Sequence, residues 1–259
     1  MRNDASNLDW NDTLPELGEW YASLLGRSML EEVNEHLDKM LRPVFGYQGL
    51  QLGQIGDAEN LMGSAGLLRR FVLGAIDSQA SVDLSATVLE LPIASDTISL
   101  LVMPHTLEFC QDPHQVLREA DRVLARDGYL LLIGFNPLST WGLARYMRFW
   151  QRSAPWNGVF YSRSRINDWL SLLNFRVVDN RKFYLRPPIG QEQLLSKLAF
   201  LERLQPWLGV FGAAYIVLAR KQVRPLTPKL QRWRQRQSVV ARRIIEPVNK
   251  MHKSGERVD

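Results

Sequence analysis

A chain of 259 residues with 46% apolar and 23% charged positions can bury the core of one large domain. Its single cysteine, Cys110, excludes an intrachain disulfide and a thiolate cluster, and His36, His105, His114 and His252 lack paired ligand spacing, so no metal is expected. The net charge of +5 belongs to the end of the chain: residues 221–259 hold eleven Lys/Arg against three Asp/Glu, a charge of +8, which leaves −3 for the rest.

The first ten residues are polar and do not read as a signal peptide. No apolar run approaches the ~18 residues that cross a bilayer. A cytoplasmic protein is the expectation. Residues 17–41 read as one helix, because Met29, Val33, Leu37 and Met40 recur at three- and four-residue steps with acids between them. Arg42-Pro43 stops it. Residues 49–53 form a short strand ending in glycine, 58–68 a glycine-interrupted helix, and 71–76 another strand.

The middle of the chain has the plainest pattern. Residues 84–89 suit an edge strand, 91–96 a turn-rich connector, and 98–103 a strand buried on both faces. Asp112 is placed as an N-cap, with Pro113 at the first helical position and Gln115 completing a capping box. Gly128 is expected to end that helix, and residues 129–135 form a second apolar strand. Strand, helix and strand with short links predict a parallel crossover. A helix over 164–173, a strand over 175–180 and a last strand over 213–220 follow, the two strands suited to antiparallel pairing at the sheet edge. Between them, 191–210 is an insertion of helical character.

The run from Leu91 to Val102 resembles the Leu-Pro-Phe segment of type-11 methyltransferase domains. His105-Thr106-Leu107-Glu108-Phe109 is similar to the family's Leu-Glu-His turn. Asp112-Pro113, Leu117-Arg118-Glu119, Arg122-Val123-Leu124 and Gly128-Tyr129-Leu130 resemble its helix and strand that follow. Phe160-Tyr161-Ser162, Trp169-Leu170 and Asn174-Phe175 resemble later family elements, and Phe109, Asn136-Pro137 and Trp141-Gly142 are similar to a little-characterised proteobacterial group. The resemblance spans about residues 50–220. It implies a doubly wound, Rossmann-like α/β fold whose seven-stranded sheet has an antiparallel last strand. It also implies a cofactor, S-adenosylmethionine, across the carboxyl ends of the strands. Residues 1–48 become a helical segment and candidate lid, 49–220 the α/β domain with its helical insertion near 141–210, and 221–259 a basic tail.

The resemblance carries a site with it. Gln51, Gly53, Gln54 and Gly56 stand where the family's glycine loop holds the methionine end of the cofactor. Asp77 stands near the ribose, Thr87 and Val88 flank adenine, and Pro104 and His105 border the methyl-transfer point, with His105 the candidate catalytic base. Three positions depart from the pattern. Gln51 replaces an acid, Ile55 a glycine that permits close approach, and Thr87 the acid that reads adenine. The departures leave two readings open: a methyltransferase with an unidentified acceptor, or a catalytically silent methyltransferase fold used for binding. A third reading is a nucleic-acid modifier that holds its substrate with the basic tail.

Each site residue also has a plainer reading. Gly53 and Gly56 could form only a tight turn, His105 a hydrogen-bonded structural histidine, and Cys110 a small buried hydrophobe, while Glu108 could face the pocket or simply cap a turn. The aromatic residues between Trp141 and Tyr161 could line an acceptor pocket, pack a flap or, with their interleaved arginines, meet an interface.

Overall fold

The computed structural model describes residues 9–56, 60–75, 83–147, 153–188 and 211–222. The chain divides into two units, Met1–Arg224 and Pro225–Asp259, and every described residue belongs to the first. The readings made for Asp77, for 191–210 and for nearly all of the basic tail lie outside the described residues.

Two helices open the chain, α1 (Trp10–Ala22) and α2 (Leu24–Leu41), where the periodicity predicts one. The break falls at Ser23, whose extended backbone caps α2 while its hydroxyl accepts the N–H of Gly26 at 3.2 Å. Gly26 lets α2 turn back on α1: a Cβ there would lie 2.3 Å from the carbonyl oxygen of Trp20. The helix expected over 58–68 is absent from its described part. Residues 61–64 form turns, and a strand begins at Gly66.

The sheet has seven strands: β1 (Phe45–Leu52), β2 (Gly66–Gly74), β3 (Leu84–Ser85), β4 (Ile98–Pro104), β5 (Leu124–Phe135), β6 (Phe175–Phe183) and β7 (Ala214–Lys221). Their order is β3-β2-β1-β4-β5-β7-β6. The first five are parallel, β7 runs antiparallel to β5, and β6 pairs antiparallel with β7 at the edge. This is the doubly wound arrangement that the sequence implies. The apolar runs of β4 and β5 are central neighbours, with Leu101 opposite Leu130. The outer strands differ: β3 has two residues, and β6 carries a bulge between Val177 and Asp179.

Between β4 and β5 lies α3 (Pro113–Val123). Asp112 accepts the N–H of Gln115 at 2.9 Å, as an N-cap does. The capping box does not close, because the Gln115 carboxamide donates to the Leu89 carbonyl at 3.3 Å instead. The helix also ends five residues before Gly128. The N–H groups of Asp96 and Thr97 take the carbonyls of Arg122 and Val123, so the chain passes straight into β5, and Asp127 makes the turn at φ 62°.

Glu119 and Arg122 explain why the resemblance is strongest here. Glu119 accepts the N–H of Leu91 at 3.1 Å and pairs with Arg122 at 2.8 Å. Arg122 donates to the carbonyls of Leu91 and Ile93 at 2.9 and 2.8 Å. One ion pair thus fixes the connector before β4 onto α3. The guanidinium beside Glu119 holds its carboxyl below the usual range.

Two apolar layers cover the sheet. Met29, Val33, Leu37 and Met40 of α2 share one layer with Leu100, Val102, Leu131 and Ile133. Val116, Leu117 and Ala120 of α3, with Ile166 and Leu170 of the helix Arg163–Leu172, share the other with Leu101, Met103, Leu130 and Leu132. The alternation along β4 and β5 is that of strands buried on both faces. The first part of α1 joins one layer through Trp10 and Leu14, and its last turns join the other through Leu17 and Tyr21. No helix of the described residues is long and apolar enough to cross a membrane.

Candidate active site

In an open α/β sheet, ligands bind beyond the carboxyl ends of the parallel strands. At that end β1 delivers Gly53, β4 delivers Pro104 and His105, and β5 delivers Phe135 and Asn136. Gly53 turns the chain at φ 91°, in the region that favours glycine, and its N–H bonds the Leu73 carbonyl at 2.7 Å.

His105 lies 1% exposed in a left-handed conformation, φ 54°, which is uncommon outside glycine. Its backbone N–H is fixed on the Ile133 carbonyl at 2.9 Å, and its carbonyl accepts from Glu108 at 3.2 Å. A single 3-10 turn, Thr106–Glu108, then brings Glu108 back over the imidazole. Glu108 Oε2 lies 2.6 Å from His105 Nδ1, and its Oε1 accepts the N–H of Phe135 at 2.5 Å. The Phe135 ring stacks on the imidazole at 4.1 Å between centroids. On the far side, His105 Nε2 lies 2.7 Å from the hydroxyl of Tyr21.

A carboxylate that takes Nδ1–H leaves Nε2 as a hydrogen-bond acceptor, so Tyr21 donates to it. Burial pushes the Glu108 carboxyl above its ordinary range, while the imidazole and the two hydrogen bonds pull it back. Burial, and secondarily Glu108, holds the Tyr21 phenol well above its ordinary value, so it stays neutral. The Cys110 thiol, buried and pushed up to about 12, is no nucleophile.

The other expected site residues divide. Pro104 and Val88 are buried beside the strand ends, and Thr87 is partly exposed. Gln51 is fully buried and committed locally: Nε2 donates to the Gly53 carbonyl at 2.8 Å, and Oε1 accepts the N–H of Leu61 at 2.8 Å. Ile55 does not line an open cleft. It is fully buried in the layer that holds Leu17, Tyr21 and Leu30. Among the described residues Gln54 Oε1 is buried without a hydrogen-bond partner, in the turn that joins Gly53 to Gly56.

One functional candidate, Tyr21, is not singled out by the sequence. Glu108, which the sequence leaves between a pocket-facing acid and a turn cap, is the partner of His105. The available signal for Tyr21 was its place on the apolar line Leu14, Leu17, Tyr21, Leu25. The aromatic residues mainly pack. Trp141 stacks on Phe135 and Trp156 at 5.7 and 5.6 Å, and Phe160 stacks on Phe135 at 5.0 Å.

A family model described as a methyltransferase domain matches residues 72–132, from β2 to β5. An Escherichia coli (strain K12) protein, the uncharacterized protein YafS, is 32% identical over 205 residues, covering 78% of this chain and 80% of its own. The chain belongs to the class I methyltransferase family. Solved structures share the methyltransferase fold. A chain of the Haloferax volcanii complex between the Trm112 methyltransferase activator and a methyltransferase aligns at TM-score 0.56 with 12% identity, covering 80% of this chain and 98% of that one. A Mesorhizobium loti S-adenosylmethionine-dependent methyltransferase aligns at 0.52 with 16% identity, over 72% and 96%.

Whether the family's cofactor suits this methyltransferase fold depends on the residues at the strand ends. Their chemistry suits it: among the described residues Gln54 Oε1 is a buried acceptor in want of a donor, as a bound amino group would supply, and His105 lies just beyond the carboxyl end of β4. Their volume does not, with α1 where it is. A Cβ on Gly53 would lie 2.7 Å from Leu14 Cδ1, and one on Gly56 would lie 3.2 Å from Tyr21 Cβ.

Proposed function

We propose that this chain is an S-adenosylmethionine-dependent methyltransferase whose acceptor, of unidentified kind, gives up its proton to His105. The observation that carries this reading is the buried relay of Glu108 and His105 at the carboxyl end of β4. The cofactor supplies a methyl group already carried by a sulfonium leaving group. The protein's part is to position the acceptor, exclude water and receive a proton. Nε2 of His105 is the receiving atom. Glu108 holds Nδ1–H and so fixes the tautomer and the ring plane. Gly53, Gln54 and Gly56 would border the methionine end of the cofactor, Asp77 the ribose, and Thr87 and Val88 the adenine.

A second reading, a catalytically silent fold used for binding, is favoured by Gln51, whose carboxamide is committed at both ends. Gln51 and Thr87 forgo two charge-assisted hydrogen bonds of ~1.5–3 kcal/mol each, which weakens cofactor binding by about two orders of magnitude or more. Calorimetric titration of the full chain with S-adenosylmethionine and with S-adenosylhomocysteine separates the two. Weak but saturable binding of both supports the enzyme. No measurable binding of either, by this chain and by one in which α1 is loosened, overturns it.

A further inference from the structure

We propose that α1 is an internal strap seated in the cofactor cleft, which must lift before the cofactor enters. The inference rests on the methyltransferase reading above and adds a regulation of the same site. Four observations converge on it.

The helix lies across the strand ends and joins both apolar layers, Trp10 and Leu14 in one, Leu17 and Tyr21 in the other. That is the place where an open α/β sheet takes its ligand. Its side chains cover the two glycines of the turn after β1, with Leu14 and Trp10 on Gly53 and Tyr21 on Gly56. The tightest of these approaches leaves no room for a ligand on Gly53. The Tyr21 hydroxyl fills the one acceptor position on His105 that a substrate proton would use. In the turn between those two glycines, Gln54 Oε1 remains buried without a donor among the described residues, although a seated ligand could supply one.

The joint is present as well. Ser23 interrupts the helical backbone between α1 and α2, with ψ 162°, so α1 can swing without unwinding α2. Besides Tyr21, Glu16 ties α1 to the rest of the fold by accepting the N–H of Ala154 at 3.1 Å, a bond that can break without disturbing the sheet. A strap of this kind reduces apparent affinity by the fraction of molecules in which it is lifted.

The test is to loosen the strap and read cofactor binding. S-adenosylhomocysteine is titrated into the full chain, into a Trp10→Ala/Leu14→Ala variant, and into Tyr21→Phe, which removes only the hydroxyl. Hydrogen exchange of residues 10–22 is followed with and without the ligand. The expected result is binding tighter by roughly tenfold or more in the double variant and by a few fold in Tyr21→Phe, with faster exchange of α1 in the wild-type chain at saturation. Equal or weaker binding in both variants, with α1 exchange unchanged by ligand, overturns the strap and leaves the methyltransferase reading standing. Absence of binding in all three chains overturns both. Tyr21→Phe keeps the test informative if the double variant does not fold.

Discussion

Tyr21 and His105, 84 residues apart, meet through a 2.7 Å hydrogen bond in a site with almost no solvent. Removing the hydroxyl in Tyr21→Phe leaves Nε2 of His105 buried without a donor. Such an orphan costs about 1–3 kcal/mol, which chemical denaturation at neutral pH should register as a lowered midpoint. An unchanged midpoint would mean that water or another group replaces the phenol.

The same phenol sets an alkaline limit. Its folded-state pKa is raised, so its contribution to stability is complete below the unfolded tyrosine value of about 10 and is lost as pH climbs past it. The wild-type chain should therefore lose stability above about pH 10 more steeply than Tyr21→Phe. Melting temperatures across that window provide the comparison, and parallel slopes would contradict the burial of Tyr21. Tyr215, also buried and raised, contributes a background slope to both proteins.

Glu108→Gln tests the other half of the relay. A carboxamide can accept from Nδ1 of His105 or from the Phe135 amide, but its own N–H₂ must then face the remaining donor. The imidazole loses its fixed tautomer, and methyl transfer should fall by about two orders of magnitude or more, the range usual for a misoriented base. Cofactor affinity should change little, so kcat and binding separate. Burial raises the Glu108 carboxyl, so its stabilising contribution is whole at acid pH and declines as pH rises through the folded value. The glutamine variant should lack that decline in a pH series of unfolding midpoints.

Arg122→Ala should be mainly a stability variant. It removes the pair with Glu119 and the Arg122 bonds to the carbonyls of Leu91 and Ile93, although the Leu91 carbonyl keeps the N–H of Ile93 at 2.7 Å. A loss of about 2–3 kcal/mol is expected, because the bonds are charge-assisted and partly screened by solvent. Since Glu119 is held low, its share is present above the unfolded carboxyl pKa and disappears as pH falls. Urea unfolding at neutral and at acid pH should show the gap between wild type and variant closing in acid.

The parts of this fold that the sequence made legible are those whose signal is local. β4 and β5 are continuous apolar runs because both faces are covered, and α3 announces itself through Asp112 and Pro113. Leu17, Tyr21, Leu25 and Met29 recur every four residues straight through the break at Ser23, so the stripe conceals the joint between α1 and α2. Ile55 stands in the position of a family glycine and suggests crowding of a cofactor, yet the structure turns it into the core. His105 could be placed from its distance after β4. Its partners could not, because the Tyr21 contact depends on how α1 lies across strands far along the chain.

The two borders of the sheet bear on how this protein behaves when crowded. A free strand invites pairing with another molecule's backbone, and long flat borders seed aggregation. Here one border is a strand of two residues, too brief to template a neighbour. The other, β6, is kinked by its bulge and carries Arg176, Asp179, Arg181 and Lys182 along its length. Among the described residues, brevity on one side and a bulge with charges on the other both work against a second sheet growing there, so the folded form should tolerate high concentration even with its central strands almost wholly apolar.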